Sequence, residues 1–457
     1  MLRPNTVTDA IAAVRLQRRS LEVAGCGAVP VLCIAPTYRY RWPNACPPAP
    51  SVAFGRRVSW RDTPLLGDRN RAPFALLVAI TACGTLGMHL IIPALPATAH
   101  ALGVSPGAIQ LTITLYLIGL AIGQLLYGPI SDRFGRRPTL LAGLVLFTVA
   151  GIATTAAPGA LTLVFARVLQ SIGACSGLVL GRAIVRDSAS PDRAAAQLAM
   201  LTLVMSLAPA IAPVLGGYAT AWFGWRAAFA LLAIVGGVTF ALTMLLLPET
   251  NRLQSGTRAS MLLGSVRLFR SRAFCGYVLG GACTTTSFYA FMAASPFILV
   301  DLLHQPTEWV GLYYLLLMAG VAGGSLTANR VAGRVRVQIA LRIANSLAIV
   351  GAALFMLADL TGVLNVATVI APIVLFMVGA GMASPFALSG AVSVNPHAIG
   401  AASGLYGFTQ MAYGALCTVI VETWRPGSVL TVAVVLLGSA LLGQVALSLA
   451  VQRARIV

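Results

Sequence analysis

Gly128-Pro129-Ile130-Ser131-Asp132-Arg133-Phe134-Gly135-Arg136-Arg137-Pro138 lies between two apolar runs, 107–127 and 139–157, each long enough to cross a bilayer. Its residue types suit a tight polar crossing between two membrane helices. Gly135 permits a sharp turn. Asp132 can pair with an arginine or sit at a helix N-terminus, where the helix dipole favours an anion. The arginines suit an anionic membrane surface.

Working outward, further apolar stretches of about 20 residues, the length a bilayer core of about 30 Å requires, bring the total to twelve. The spans read as 73–95, 107–127, 139–157, 160–181, 196–219, 226–247, 274–299, 308–328, 338–358, 364–386, 398–421 and 428–451. Of 457 residues, 58% are hydrophobic and 9% charged, a composition that belongs to a chain embedded in lipid. The net charge of +19 comes entirely from arginine, since the 31 basic residues include no lysine. Eleven arginines precede the first span. If that end is cytoplasmic, the loops after spans two, four, six and eight carry three, three, five and four more. The six opposite loops hold only Arg226 and Arg425. This is the positive-inside pattern, which places both termini in the cytoplasm and assigns the charge to topology, so a nucleic-acid partner is not expected. A lipid bilayer is.

The domain organisation expected is a tail at 1–71, a first six-helix bundle at 72–248, a cytoplasmic linker at 249–272 and a second bundle at 273–457. The tail mixes Arg, Pro and scattered apolar residues and reads as disordered, or as preceding a true start nearer Val58 or Leu66. A weak repeat supports the two halves: Ser325 to Arg330 after span eight echoes Gly128 to Arg133 after span two, with Asn329 in place of Asp132. Gly119-xxx-Gly123 and Gly320-xxx-Gly324 are faces on which helices can approach closely. Cys26, Cys33 and Cys46 in the tail and the cysteines within spans match no metal or disulfide spacing. His89, His100, His304 and His397 are likewise spaced unlike metal ligands. No phosphate-binding G-x-x-x-x-G-K-[ST] loop is present, so neither ATP chemistry nor a cofactor is expected.

The opening stretch matches G-x-x-x-D-R-x-G-R-R, the signature of the major facilitator superfamily, and the chain is identified by resemblance as a member. That resemblance implies an all-α membrane fold of twelve helices in two six-helix bundles. It also implies that Gly128, Asp132, Arg133, Gly135, Arg136 and Arg137 form a conformational latch at the cytoplasmic side. Ala208-Pro209-Ala210-Ile211-Ala212-Pro213-Val214-Leu215-Gly216-Gly217 resembles the antiporter motif of drug:proton exporters, with Pro209, Pro213, Gly216 and Gly217 as its key positions. Two prolines bend a helix and paired glycines allow close packing. The plainer reading is an ordinary kinked transporter helix. Arg167-Val-Leu-Gln170-Ser171-Ile-Gly173 is similar to the exporters' R-x-x-Q-G, with Ser171 replacing the first glycine. A charge within a span points to function, or to an arginine that snorkels to the span's end.

Within the superfamily the Bcr/CflA drug-resistance group is the nearest resemblance. It is carried by Gln110 and Thr112, Gln124 to Gly128, Phe223 to Phe229, Leu247 to Thr250, Ser295-Pro296-Phe297 and Gly400 to Gly404. One departure stands out. The group carries an Asp in its first helix, four residues before the proline of D-M-Y-L-P-A-x-P, and here that position is His89. The twelve acids all read as lying in the tail or near span ends, with Asp301, Glu308, Asp359 and Glu422 at the periplasmic side.

A histidine, with an ordinary pKa of about 6.5, can exchange protons in place of that acid. His89 and Arg167 are therefore the candidate proton-coupling residues, His89 being equally readable as a hydrogen-bonded packing residue. The candidate substrate cavity comprises Thr81, Thr85, His89, Tyr116, Gln124, Arg167, Gln170, Phe288, Tyr289, Tyr406, Gln410 and Tyr413. Mutual hydrogen bonding between helices is the alternative for many of them. The function expected is proton-coupled export of a small, largely apolar compound, neutral or weakly anionic, by a monomer of this chain. The alternatives are a metabolite carrier or uncoupled facilitator, and a non-transporting sensor or scaffold.

Overall fold

A computed structural model describes residues 73–188, 191–250, 270–394, 399–424 and 428–453. The tail 1–71 with Cys26, Cys33 and Cys46, most of the linker 249–272, His397 and Arg425 lie outside the described residues. Twelve helices are long and apolar enough to cross a membrane, and no strand occurs among the described residues. They are α1 (Phe74–Leu102), α2 (Pro106–Phe134), α3 (Arg136–Thr155), α4 (Ala160–Ser188), α5 (Pro191–Phe223), α6 (Trp225–Leu246), α7 (Arg272–Leu302), α8 (Thr307–Val331), α9 (Val337–Leu360), α10 (Val366–Ser393), α11 (Ile399–Trp424) and α12 (Val429–Arg453).

The packing repeats. In the first six helices α1 lies against α4 and α5, α2 against α4, and α3 against α4 and α6. In the second six α7 lies against α10 and α11, α8 against α10, and α9 against α10 and α12. Across the halves α2 packs on α11 and α5 on α8. Both small-residue faces serve this scheme: methyl groups on Gly119 and Gly123 would strike Ser171 and Cys175 of α4, and methyls on Gly320 and Gly324 would strike Val374 and Val378 of α10. Leu111, Ile118, Ile122 and Leu125 of α2 are exposed while Thr112, Thr114 and Tyr116 are buried. The apolar face thus meets lipid and the polar face turns inward, as a bilayer demands.

The spans are where the hydropathy puts them, but several helices run on past them. α2 continues from 127 to Phe134 and α4 from 181 to Ser188. Gly128, Asp132 and Arg133 are therefore helical, and the crossing expected as a loop shrinks to Gly135. Loss of apolar character marks where the hydrocarbon ends, whereas a helix stops only where its backbone turns. The turn is Gly135, at φ 97 and ψ 153, a region open essentially to glycine alone. Gly333, at φ 78, follows α8 in the second half.

Around that turn Arg136 gathers three partners: Asp132 at 2.6 Å, Asp187 of α4 at 2.9 Å and the Ser131 hydroxyl at 2.5 Å. The carboxylate of Glu249, just after α6, accepts the first backbone N–H groups of α3 at Arg136 (3.0 Å) and Arg137 (3.2 Å). It is Glu249, at the position suggested above for Asp132, that meets the positive end of a helix dipole. Arg137 donates to the Met244 carbonyl in the last turn of α6. These contacts tie α2, α3, α4 and α6 together at what is called here the motif end; the opposite end is the far end.

A methyl group on Gly135 would sit 2.7 Å from a Glu249 oxygen, while one on Gly128 meets nothing within 4 Å. Gly135→Ala is expected to cost about 1–3 kcal/mol from backbone strain, and Gly128→Ala, helical but directly before Pro129, to cost less than about 1 kcal/mol. Thermal unfolding of the two purified variants beside the wild type checks both; equal losses at the two glycines would contradict the turn.

Candidate functional site

α1 is not one continuous helix. A first segment, Phe74–His89, ends in a turn at Leu90 and Ile91, followed by a short 3-10 segment, Ile92–Ala94, and a second helix, Leu95–Leu102. Pro93 and Pro96 bring no N–H to the ladder, so the helix cannot run straight through. The break falls midway along the span and leaves carbonyls of the last regular turn in need of donors. Arg167 of α4 supplies one, its Nη2 donating to the Gly87 carbonyl at 2.9 Å.

Arg167 is fully buried. Its Nη1 donates to Gln170 Oε1 at 2.5 Å, and its guanidinium carbon lies 4.2 Å from the centre of the Tyr116 ring of α2. The Tyr116 hydroxyl donates to the Gly84 carbonyl at 3.3 Å. Arg167 Nε has no hydrogen-bond partner, and no ion pair involving this arginine occurs among the described residues. The side chain is directed into the protein and not toward a membrane surface. A positive charge is thus held by a carbonyl, an amide oxygen and an aromatic face, without an acid.

His89 closes the first segment of α1, 6% exposed. Its Nδ1 lies 2.9 Å from the Thr85 carbonyl. A carbonyl can only accept, so Nδ1 carries the hydrogen and Nε2 of the neutral ring keeps its lone pair. Thr81 and Thr85 share this face at helical spacing. Thr81 donates to Leu77 O and packs against Gly181 of α4, while the Thr85 hydroxyl is buried without a partner.

α5 meets the break directly. A methyl on Gly216 would collide with the Leu90 carbonyl, and Gly217 lies against Thr307 and Glu308 of α8. Gly311 of α8 in turn packs against the backbone of Pro213, and Pro209 and Pro213 lie within a helix that continues through both. The glycine pair therefore sits where α5 touches both the broken α1 and the other half of the molecule.

In the second half, Gln410 Nε2 donates to Thr285 Oγ1 at 2.9 Å and to the Tyr406 hydroxyl at 3.1 Å, joining α11 to α7. Tyr413 instead donates to Ser439 of α12 at 2.9 Å. Phe288 is buried against Phe291 and Tyr314, and Tyr289 lies beside Gly414. Gln170 is turned toward Gly151 of α3, its amide nitrogen unpartnered. Gln124 of α2 fills the space beside Gly407 of α11, so it joins the halves. The candidates thus divide into an Arg167–Tyr116 pair against the Gly84 and Gly87 face of α1, His89 with Thr85 on another face of the same segment, a Thr285–Tyr406–Gln410 group on α7 and α11, and residues engaged between helices. A groove of about 740 Å³ between α8 and α10 is lined by Tyr313, Leu316, Gly320 and Val374 among others, and lies apart from the first three of these.

One cluster was not anticipated. Glu422, expected at a periplasmic span end, is buried against Thr114 of α2 and Thr418. The signal was present in the i, i+4 spacing of Thr418 and Glu422 on one face of α11, but only the packing of α11 on α2 turns that face inward.

A family profile described as Major Facilitator Superfamily matches residues 77–418. The chloramphenicol resistance protein of Pseudomonas aeruginosa is 33% identical over 358 residues, 77% of this chain and 82% of the relative. Multidrug resistance protein D of Escherichia coli (strain K12) is 30% identical over 344 residues, 75% of this chain and 86% of the relative. Among solved structures, that of a D-xylose-proton symporter superposes with a TM-score of 0.62 at 16% identity, covering 82% of this chain and 96% of that one.

A methyl on Gly87 would overlap the Tyr116 hydroxyl, with the next atoms at 3.2–3.3 Å. Gly87→Ala is expected to destabilise by about 1–3 kcal/mol, and in a Tyr116→Phe background by less than half as much. A double-mutant cycle on unfolding midpoints checks this; additive losses would show that the two positions do not meet.

Proposed function

This chain belongs to the major facilitator superfamily, and on that premise we propose that it exports a small, largely apolar drug-like compound across the inner membrane in exchange for protons. It is a multi-pass membrane transporter with twelve helices, not an enzyme, and its relatives include multidrug and chloramphenicol resistance proteins of the Bcr/CflA efflux type. In this reading both termini face the cytoplasm, the motif end is the cytoplasmic side, and the Arg136 cluster is the latch there. The protein works as a monomer by alternating access.

The observation that carries the reading is the buried, acid-free Arg167 at the α1 break. Its free Nε is a donor for a carbonyl or weakly anionic group, and an uncompensated positive charge repels cationic compounds. His89 stands at the carbonyl end of the same segment, where the helix dipole favours positive charge. It takes up the exchanged proton at Nε2. The broken segment of α1 carries both contacts, so in this reading engagement of Arg167 by a substrate group is linked to proton occupancy of His89 through that segment. The glycine pair of α5, between the break and α8, carries that state to the other half. A second reading, an uncoupled facilitator, is favoured by the absence of an acid at this centre; transport that persists with an uncoupler would select it.

Acid-loaded proteoliposomes test the proposal. Phenicols or bicyclic peptides are expected to release the proton gradient, and a quaternary ammonium dye is not. Tight, proton-coupled export of the dye would overturn the substrate class. His89→Ala is expected to slow substrate-driven proton release by about 100-fold, the scale of losing one positioned acid–base group; a wild-type rate would remove its coupling role. Arg167→Met is expected to abolish substrate-driven flux, and to lower the unfolding midpoint only modestly, because discharging a buried cation offsets part of the loss of the donor to the Gly87 carbonyl. A falling midpoint with flux retained would make Arg167 structural.

A further inference from the structure

Glu422 is the only buried acid among the described residues. It lies at the far end of α11, in the contact between the two halves of the molecule. Thr114 of α2 approaches it from about 12 Å inside that helix, eight residues from Pro106.

The Thr418 hydroxyl donates to the Ala415 carbonyl at 2.8 Å. The Thr114 oxygen lies within hydrogen-bond distance of both Thr418 Oγ1, at 2.7 Å, and Glu422 Oε1. One hydroxyl carries one hydrogen, so with the Thr418 hydrogen on the Ala415 carbonyl, a hydrogen from the carboxyl group lets all three contacts form together. Glu422 Oε2 is buried without a partner.

Among the described residues the surroundings bring no compensating charge; Arg425, three positions on, lies outside them. From α2 the facing groups are hydroxyls. α7 brings the Tyr289 phenol, beside Gly414 two turns along α11, and Asp301 at the same end, which is engaged with His100 of α1 at 3.4 Å. α10 has no titratable side chain, and the described length of α12 has only Arg453, at the other end of the helix. An ionised carboxylate would have no counter-charge among the described residues, and burying it between two helices in that state is costly.

We propose that Glu422 is a proton-binding site that holds α2 and α11 together at the far end when protonated and lets them part when ionised. The protonated acid completes the Thr114–Thr418 chain. The carboxylate requires water, which enters only as the halves separate. Closure at this end is thus favoured at low pH and lost as pH rises. The site deepens the proton-coupled reading and rests on it for its place in a transport cycle.

Hydrogen exchange of the full-length protein in lipid nanodiscs, without substrate or gradient, tests the site. The measurement covers peptides from the far ends of α2 and α11, on either side of neutral pH and corrected for intrinsic exchange. Wild type is expected to exchange faster at the higher pH, by up to about tenfold per pH unit for one linked proton. Glu422→Gln is expected to be protected at both pH values, and Glu422→Asp to keep the pH response. His100→Gln, which breaks the neighbouring pair, is expected to keep it too. If Glu422→Gln does not fold, Thr114→Val serves: it is expected to exchange faster than wild type at the lower pH, where the Thr114 hydroxyl completes the contact, and protection equal to wild type there would overturn the proposal. A pH-independent wild type, a Glu422→Gln variant that responds as wild type does, or a response lost in His100→Gln would overturn the proposal. A pH response that depends on Glu422, found beside an absence of substrate-driven proton release, would keep the site and remove the export reading; intact release with no pH response would do the reverse.

Discussion

The hydrogen bond from Arg167 to the Gly87 carbonyl is the contact around which the first half of the protein is arranged. A membrane helix cannot leave backbone carbonyls without donors, because the surrounding hydrocarbon offers none. Once prolines interrupt α1 in the middle of the bilayer, another part of the protein must satisfy the freed groups. Arg167 does this from α4, and its requirements propagate. Tyr116 of α2 lies against its guanidinium, Gln170 accepts from it, and Gly87 must lack a side chain to admit the Tyr116 hydroxyl. Three helices are thereby fixed to one another by a charge that has no acid beside it.

That arrangement favours function over stability. A buried cation held only by neutral groups is costly to maintain, and membrane proteins keep such charges where they act on substrates or ions. The break also presents His89 with its Nδ1 already committed to the Thr85 carbonyl, which leaves Nε2 as the site of protonation. Lying against the break, Gly216 of α5 is followed by Gly217, which faces α8. Two adjacent residues of α5 therefore join the break to the boundary between the halves. At the far end of that boundary, Glu422 and Thr114 form a second polar contact.

The motif end is built on a different principle. There the charges are partly exposed and paired, with Arg136 meeting Asp132 and Asp187, and Glu249 receiving the N-terminus of α3. Exposed pairs of this kind contribute little individually. Converging on one arginine beside a turn that only glycine can make, they specify a geometry. The equivalent turn of the second half keeps its glycine at 333 but has Asn329 where the first half has Asp132, so the two ends of the repeat are not electrostatically alike.

Much of this was legible in the sequence because a bilayer restricts what a chain can do. Twelve apolar stretches of spanning length had to become twelve helices, and Gly128 to Arg137 marked both the crossing and the family. Arg167, His89 and the α5 glycines stood out because charges, titratable groups and paired glycines are conspicuous within apolar spans. The helix ends did not, since polarity reports the edge of the hydrocarbon while α2 and α4 run on past it. Nor could the sequence say which way a side chain turns: Tyr413 reaches α12, Gln170 faces α3, and Gln124 lies against Gly407 of the other half. Glu422 is the clearest case. On sequence it was an acid near the end of a span, where water would be expected to meet it. Only the packing of α11 on α2, a contact between residues about 300 positions apart, buries it and surrounds it with hydroxyls in place of water.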